Sequence, residues 1–474
     1  MRPLILPLFL GLFAASAAAQ WRAPDGSPGP AATAVMERIT RAAEDGLDPR
    51  HYPLPDPSDP MFDQRMTATA AAFLGDLTGG RLREIASRPD VIRSGHAPDP
   101  VQAALGIATA ADPAAALAAL EPSDPAYRAI KAALAREIAA IPAAPPPFPT
   151  GGTIEPGTED ARVPAIRARL GVTGEGLVYD DALQEAVRRF QASQGLSVDG
   201  RIGRNTQAAL NEGPVARARR LRVALDMARD PPVWVGPHID VNIAEQRLRV
   251  IDDGRTVLEM AVIAGSRVRQ TPPLRTTLTL AQFNPPWGVP MRNAKQDLLP
   301  RLRRNPEAVI AQGFRVYEVV GGERVEVDPR TVDWNAVSPN DFPYLLRQDA
   351  GETNALGRIK FVMPNRDDIF MHDTPQRSLF ARQERLYSSG CIRLEQPYAL
   401  MAYAIGWDRA RAEAAIASGR TFGILVRMPL PVVIAYRTAL VGADGTVTLR
   451  PDAYGLDEAY AQLLDRGVTR VATR

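Results

Sequence analysis

The single cysteine of this 474-residue chain, Cys391, follows nineteen positions after His372, one of only four histidines. A thiol becomes a strong nucleophile when a base removes its proton, and imidazole suits that task near neutral pH. The intervening Ser388-Ser389-Gly390 is small and turn-prone, so it lets a substrate carbonyl approach the sulfur. These residues predict acyl transfer with Cys391 as nucleophile, His372 as base, and the backbone N–H groups of Gly390 and Cys391 as oxyanion donors.

The alternative is that Cys391 is a small buried hydrophobe, the commoner role of an unpaired cysteine. Residues 1–19 have a basic start, an apolar segment and the small-residue site Ala17-Ala18-Ala19, which predict a cleavable signal peptide. A free thiol is a liability in an exported protein unless it is used, so export favours a reactive cysteine. His238 is the less favoured base, because no thiol lies near it in sequence and Gly236-Pro237 predicts a loop.

Short strands are expected to position these groups. Residues 360–363 and 368–371 have strand character on either side of a Pro-Asn-Arg turn, which places His372 at a strand end. If the segment around the cysteine is extended, Tyr387, Ser389 and Arg393 share its face. We therefore expect these three side chains to line the pocket. Arg393 would bind a substrate carboxylate or hold the loop, although a surface ion pair is an equally simple role.

Two further residues are assigned to the substrate pocket, each with an open alternative. Trp287 is a wall residue or a core residue. Asp373 follows the histidine directly, and either its carboxylate or a backbone carbonyl nearby is expected to orient the imidazole. His51 and His96 lie in loops without ligand spacing, so no metal site is expected there. Acyl transfer by a thiol also needs no organic cofactor, so none is expected.

The composition predicts a multidomain α+β protein. With 474 residues and 45% hydrophobic content the chain can form several cores, and a net charge of +2 gives no reason to expect nucleic acid as a partner. No later apolar run is long enough to span a bilayer, so we expect no transmembrane segment in the mature chain.

The predicted regions are the signal peptide 1–19, a helical scaffold 20–141, a Pro-rich linker 142–157, a three-helix domain 158–212, a linker helix 213–235, a β-rich domain 236–428 with an insertion at 300–356, and a C-terminal extension 429–474.

His372 together with Ser388-Ser389-Gly390-Cys391-Ile392-Arg393 resembles the active-site signature of L,D-transpeptidases with the YkuD fold, in the large, periplasmic YcbB-like branch. The wider family commonly has histidine at the position of Ser389. A serine there is typical of this branch. The resemblance extends through residues 241–245, 269–272, 283–290 and 357–361. Residues 187–203 resemble a peptidoglycan-binding module, and the insertion resembles a capping subdomain, although an ordinary surface excursion is the alternative.

The resemblance implies a reaction and its partners. The expected donor is a peptidoglycan tetrapeptide stem that loses D-alanine and forms a thioester on Cys391, and the expected acceptor is the diaminopimelate amine of a second stem. It also implies a periplasmic location and acylation by carbapenems. Two alternatives remain: an L,D-carboxypeptidase or endopeptidase that uses the same thiol, and a non-catalytic wall-binding scaffold.

Overall fold

The computed structural model describes residues 21–82, 95–231, 234 and 236–466, so the predicted signal peptide lies outside the described residues. The N-terminal part is helical, and Pro follows an Asp or Gly N-cap at the start of four of its helices. Its helices are α1 Pro30–Thr40, α2 Phe62–Gly79, α3 Pro100–Ala108, α4 Pro113–Ala119 and α5 Pro125–Ala140, with short 3-10 turns at Ala42–Asp45, Pro49–His51 and Ile141–Ala143. None of the helices in the described ranges has both the length and the apolar character needed to cross a membrane.

Three short helices form the next domain: α6 Val163–Leu170, α7 Asp181–Gln194 and α8 Arg204–Asn211. The predicted linker 142–157 is wrong in its second half. Phe148 is buried in this domain's core and exchanges two backbone hydrogen bonds with the Asn211 amide, while Ile154 pairs with Ile202. Burial of these apolar side chains draws residues 148–157 into the three-helix domain.

Helix α9, Pro214–Met227, leads to the β-rich domain and packs on α5. That domain contains nine strands: β1 His238–Asn242, β2 Arg247–Asp252, β3 Arg255–Gly265, β4 Leu274–Phe283, β9 Ile359–Val362, β10 Met371–His372, β11 Leu386–Ser388, β12 Ile392–Leu394 and β13 Phe422–Ala435. They are ordered β11-β3-β12-β10-β9-β4-β13-β1-β2, and a β2–β3 pairing closes the sheet on itself. Helices α13 Pro397–Ile405 and α14 Arg409–Ala417 cover it, with Leu400 and Met401 fully buried.

The insertion forms a second, smaller sheet with its own core, in the order β5-β8-β6-β7. Its strands are β5 Trp287–Gly288, β6 Phe314–Val320, β7 Glu323–Val327 and β8 Leu345–Gln348, and its helices are α10 Met291–Asn293, α11 Leu299–Arg304 and α12 Pro306–Ile310, with a π-helical turn Ala294–Leu298 between the first two. Because β5 already belongs to this sheet, the inserted unit begins before the predicted residue 300.

The predicted boundary at residue 428 also lies within an element, because β13 continues to Ala435 and pairs with both β4 and β1. Residues 429–435, predicted as the start of the C-terminal extension, are therefore part of this strand, and the extension itself forms a hairpin of β14 Ala439–Val441 with β15 Val447–Leu449. Helix α15, Leu456–Asp465, follows and packs on α9. With these corrections the predicted multidomain α+β class is confirmed.

Candidate active site

Cys391 and His372 lie at the ends of two neighbouring strands. β10 and β12 run parallel, with Met371 opposite Ile392 and His372 opposite Arg393. Because side chains alternate along a strand, Met371 and Ile392 point into the core, while His372, Arg393 and Cys391 share the other face. The thiol is partly exposed and donates weakly to the Asp368 carbonyl at 3.8 Å, whereas His372 is only 4% exposed. The fold thus places the two residues singled out as nucleophile and base on one face of adjacent strands.

The turn before the cysteine depends on glycine. Gly390 has φ +127°, a left-handed conformation that other residues rarely adopt, and a Cβ there would lie 3.2 Å from the Ile369 side chain. The Thr271 hydroxyl, which is buried, donates to the Gly390 carbonyl at 2.6 Å and accepts from the Gly265 N–H at 2.9 Å. These contacts fix the backbone on which the thiol is carried.

The structure corrects one predicted oxyanion donor. The Gly390 N–H donates to the buried Ser388 hydroxyl at 3.1 Å, so it is already engaged. The Cys391 N–H has no acceptor in the described part of the chain. Of the two predicted donors, Cys391 alone keeps its N–H available for a developing oxyanion.

A backbone carbonyl orients the imidazole, which is one of the two arrangements expected from the sequence. The His372 Nδ1 lies 2.5 Å from the Asp373 carbonyl oxygen. The Asp373 carboxylate turns away, accepts from the Arg358 N–H at 3.0 Å and lies 3.5 Å from the Arg377 guanidinium. Asp373 therefore holds the 357–358 loop, and Gly357, with φ +62°, is required there because a Cβ would collide with the carboxylate.

Burial keeps both groups neutral at neutral pH. Burial, then the charge of Arg393, lowers the pKa of His372 to about 3, although the Asp373 and Leu356 carbonyls favour the protonated ring. Loss of water around the sulfur raises the pKa of Cys391 to about 11, and the Phe370 N–H, Lys360 and Arg393 oppose that rise. The resting site is thus a thiol beside an imidazole, not a preformed ion pair.

Lys360 is part of this site and was not singled out from the sequence. It lies opposite His372 in the antiparallel β9–β10 pair, so Lys360, His372 and Arg393 form one row across three strands. Its ammonium lies 3.9 Å from the centre of the Phe370 ring, and burial lowers the pKa of Lys360, whereas a thiolate at Cys391 raises it. A lysine in the otherwise apolar β9 was the available signal.

Ser389 contacts the inserted unit. Its hydroxyl accepts from Arg269 Nη1 and from Asn293 Nδ2, each at 2.9 Å. Asp297 in turn accepts from both donors, at 2.6 Å and 2.7 Å from Arg269 and 2.9 Å from Asn293. Because Asn293 and Asp297 stand at the base of the insertion, on either side of the start of its π-helical turn, this network joins the cysteine loop to the insertion.

The remaining predicted pocket residues are placed differently. Arg393 donates to the Gln376 side chain at 2.6 Å, and its Nε is buried without an acceptor among the described residues. Tyr387 is 47% exposed on β11. Trp287 packs edge-on against Phe314 in the small core of the insertion, which supports the core alternative. His238 starts β1, which the sheet order places away from β10 and β12, and it stacks on Trp234.

Together, fold and site define a multidomain protein whose β-rich domain holds a thiol and an imidazole on one face of adjacent strands. Comparison with known families agrees with this division. Residues 236–409 match the family model of the L,D-transpeptidase catalytic domain, YkuD, and residues 14–134 match a scaffold domain. Residues 168–210 match a domain described, provisionally, as peptidoglycan binding. The chain therefore carries a YkuD-type L,D-transpeptidase catalytic domain beside a peptidoglycan-binding domain.

One curated relative, from Haemophilus influenzae and named provisionally as an L,D-transpeptidase, is 33% identical over 289 residues, which is 60% of this chain. The match spans 54%, or about half, of that relative's length. Solved L,D-transpeptidase structures from Xylanimonas cellulosilytica and Mycobacterium smegmatis share 16% and 14% identity, with TM-scores of 0.21 and 0.20. They cover 60% and 42% of this chain and 99% and 58% of their own chains.

Proposed function

We propose that the protein is a periplasmic peptidoglycan L,D-transpeptidase that links the third residues of two stem peptides through a thioester on Cys391. The observation that carries this proposal is the placement of Cys391 and His372 on one face of the parallel β10–β12 pair, within a domain that matches L,D-transpeptidases. The neighbouring peptidoglycan-binding domain supports the same substrate. Export by a signal peptide at residues 1–19 belongs to this proposal.

In the first half-reaction, the Cys391 sulfur attacks the carbonyl carbon of the donor's third residue. His372 takes the thiol proton, and the Cys391 N–H stabilises the oxyanion. The C–N bond to the terminal D-alanine then breaks, and the leaving amine receives that proton from the imidazole. A thioester remains on the enzyme.

In the second half-reaction, the side-chain amine of a diaminopimelate on another stem attacks the thioester. A new amide bond forms, the C–S bond breaks, and His372 transfers the proton lost by the amine to the sulfur. Neither step requires a metal ion or an organic cofactor. Arg393 is assigned to a substrate carboxylate, because its buried Nε has no acceptor in the described structure and because such an anion would offset the charge that disfavours a protonated His372.

The insertion supports transfer over hydrolysis. It has its own core and is joined to the cysteine loop by the Ser389 network, so it is placed to limit access of water to the thioester. Tyr387, on the strand before the thiol, and Ser389, in the turn that leads to it, are proposed to contact the substrate. Trp287 is proposed to affect the substrate pocket indirectly, by packing in the core of the insertion. Asp373 is proposed to do so by holding the 357–358 loop.

The test is to incubate the mature protein, and a Cys391→Ala variant, with purified muropeptides that carry tetrapeptide stems, and to identify the products by mass. We expect dimers linked through two third residues and released D-alanine with the wild type alone. Cys391-dependent loss of D-alanine without dimers would instead indicate a carboxypeptidase. Equal masses in both samples would indicate a wall-binding scaffold without catalysis.

Acylation of Cys391 by a carbapenem is part of the same proposal, because the β-lactam carbonyl presents the thiol with an acyl group that stays attached. Intact-mass spectra of the wild type should show one carbapenem adduct, and the Cys391→Ala variant should show none. A wild type that stays unmodified would count against a functional thiol.

A further inference from the structure

A cleft of about 510 Å³ lies between the peptidoglycan-binding domain and the catalytic domain. Residues 194–197 and helix α8, with Asn205 and Ala208, form one wall. Residues 244–246 and the Arg267–Glu384 ion pair form the other, and residues 449–453, at the end of the C-terminal hairpin, close one end. Three parts of the chain that are distant in sequence thus enclose a single space.

The acidic side chains that line this cleft are already paired. Three are ion pairs: Glu212 with Arg220 at 2.7 Å, Glu245 with Arg249 at 2.6 Å, and Glu384 with Arg267 at 3.2 Å. The fourth, Asp452, accepts a hydrogen bond from the Tyr436 hydroxyl at 2.8 Å. Their charges are therefore committed to partners within the protein. A ligand that enters the cleft meets no unpaired carboxylate among them.

Arg450 is different: its charge, after those of Arg249 and Arg247, acts favourably on the Glu245 carboxylate, but its guanidinium forms no ion pair with any described residue and its Nε is buried without an acceptor. The side chain lies against the C-terminal end of α7, where Gly195 leaves it room: a Cβ at position 195 would lie 1.5 Å from Arg450 Nη1. The carboxyl end of a helix favours a cation. Arg450 is thus held in the cleft with hydrogen-bonding capacity that the protein does not use.

We propose that this cleft binds the peptidoglycan polymer and that Arg450 pairs with a carboxylate of its stem peptides. The inference rests on the proposed function, since it adds a second contact for the same substrate. A guanidinium matches a carboxylate in geometry as well as charge. Asn205 and Ser197 supply uncharged hydrogen-bonding groups for the rest of the ligand.

The cleft is close enough to the thiol for one polymer to reach both. Glu384, in the cleft wall, precedes Cys391 by seven residues, which span at most about 23 Å at ~3.3 Å per extended residue. An extended tetrapeptide stem reaches about 13 Å by the same measure. A polymer held at Arg450 therefore keeps a stem in the neighbourhood of Cys391.

The experiment measures binding with the thiol removed, so that its result does not depend on turnover. The full mature chain carrying Cys391→Ala is titrated with a disaccharide–tetrapeptide and with the same disaccharide lacking its stem. Arg450→Gln should weaken binding of the stem-bearing fragment about tenfold or more and leave the stemless saccharide unchanged. Arg450→Lys, which keeps the charge, should restore part of the affinity.

A second variant tests the cleft without touching Arg450. Ala208→Trp fills the space from an exposed position on α8 and should also weaken binding of the stem-bearing fragment, whereas Ala182→Trp, exposed on α7 outside the cleft, should not. If both Arg450→Gln and Ala208→Trp bind the fragment as well as the parent, or if the parent does not bind it, the inference is wrong. Equal loss for the stemless saccharide on Arg450→Gln would also overturn it. Dimer formation in the muropeptide assay remains a separate result that tests the proposed function alone.

Discussion

Arg393 lies directly opposite His372 across the parallel β10–β12 pair, so a guanidinium and the candidate base share one face of adjacent strands. The arginine charge, after burial, contributes to holding the pKa of His372 at about 3. Replacing Arg393 with Gln removes that charge and should raise the pKa of His372. The ring C–H resonance of His372, assigned with a His372→Gln variant and followed by NMR against pH, reports it directly.

The matched control for that measurement is Arg393→Lys, which keeps a positive charge and should leave the midpoint nearer that of the wild type. If Arg393→Gln titrates at the wild-type midpoint, the arginine does not act on the imidazole electrostatically. Its role would then be limited to the hydrogen bond with Gln376.

The state of the thiol leads to a second prediction. Because the pKa of Cys391 is raised to about 11, alkylation by iodoacetamide should be slow at pH 7 and rise about tenfold per pH unit up to pH 10. The rate is measured by intact mass in the absence of substrate, and the denatured chain, which should react faster at neutral pH, is the control. A rate that levels off below pH 8 would mean that the resting site already holds a thiolate.

Lys360 is expected to stabilise the thiolate once it forms. Its charge opposes the raised pKa of Cys391, so Lys360→Met should raise that pKa further and slow alkylation at pH 9 by at least about threefold. Lys360→Arg retains the charge and should react at nearly the wild-type rate. A purely structural lysine would change the melting temperature of the Met variant without moving its alkylation profile.

The nucleophile, the base and the turn glycine could all be predicted from sequence, because each depends on local features: residue type, spacing and a strand end. Lys360 could not, since its position beside His372 depends on the strand order β9-β10-β12. The same limit explains the error at Gly390, whose N–H is taken by the hydroxyl of Ser388. Phe148 was assigned to a linker because its Pro-rich neighbours dominate that stretch, whereas its partner Asn211 is 63 residues away.

The network at Ser389 should link the cysteine loop to the insertion. Ser389→Ala and Asn293→Ala each remove two hydrogen bonds of this partly buried network, each worth about 1 kcal/mol, so stability should fall by about 2 kcal/mol at most. The turnover number should fall about tenfold, because the thiol loses part of its positioning. The control is Asn335→Ala, an exposed residue of the same insertion without a part in this network.

A double variant separates positioning from general damage. If the two side chains act as one unit, the Ser389→Ala/Asn293→Ala protein should lose little more activity than either single variant. Multiplicative losses would show instead that each residue acts through a separate contact.

The buried imidazole also makes stability depend on pH. His372 titrates near 6.5 when unfolded and at about 3 when folded, so between these values the unfolded chain binds more protons. Its contribution to the free energy of unfolding is complete above pH 6.5 and falls as the pH drops toward 3, by at most about 1.4 kcal/mol per pH unit.

Urea unfolding of the wild type and of His372→Gln at pH 7, 6 and 5 isolates this contribution from that of the carboxylates. The stability difference between the two proteins should shift in favour of the variant as the pH falls, because the unfolded wild type gains a proton on His372 that Gln cannot bind. A difference that stays constant from pH 7 to pH 5 would mean that His372 is as easily protonated in the folded protein as in the unfolded chain, which contradicts the neutral resting pair.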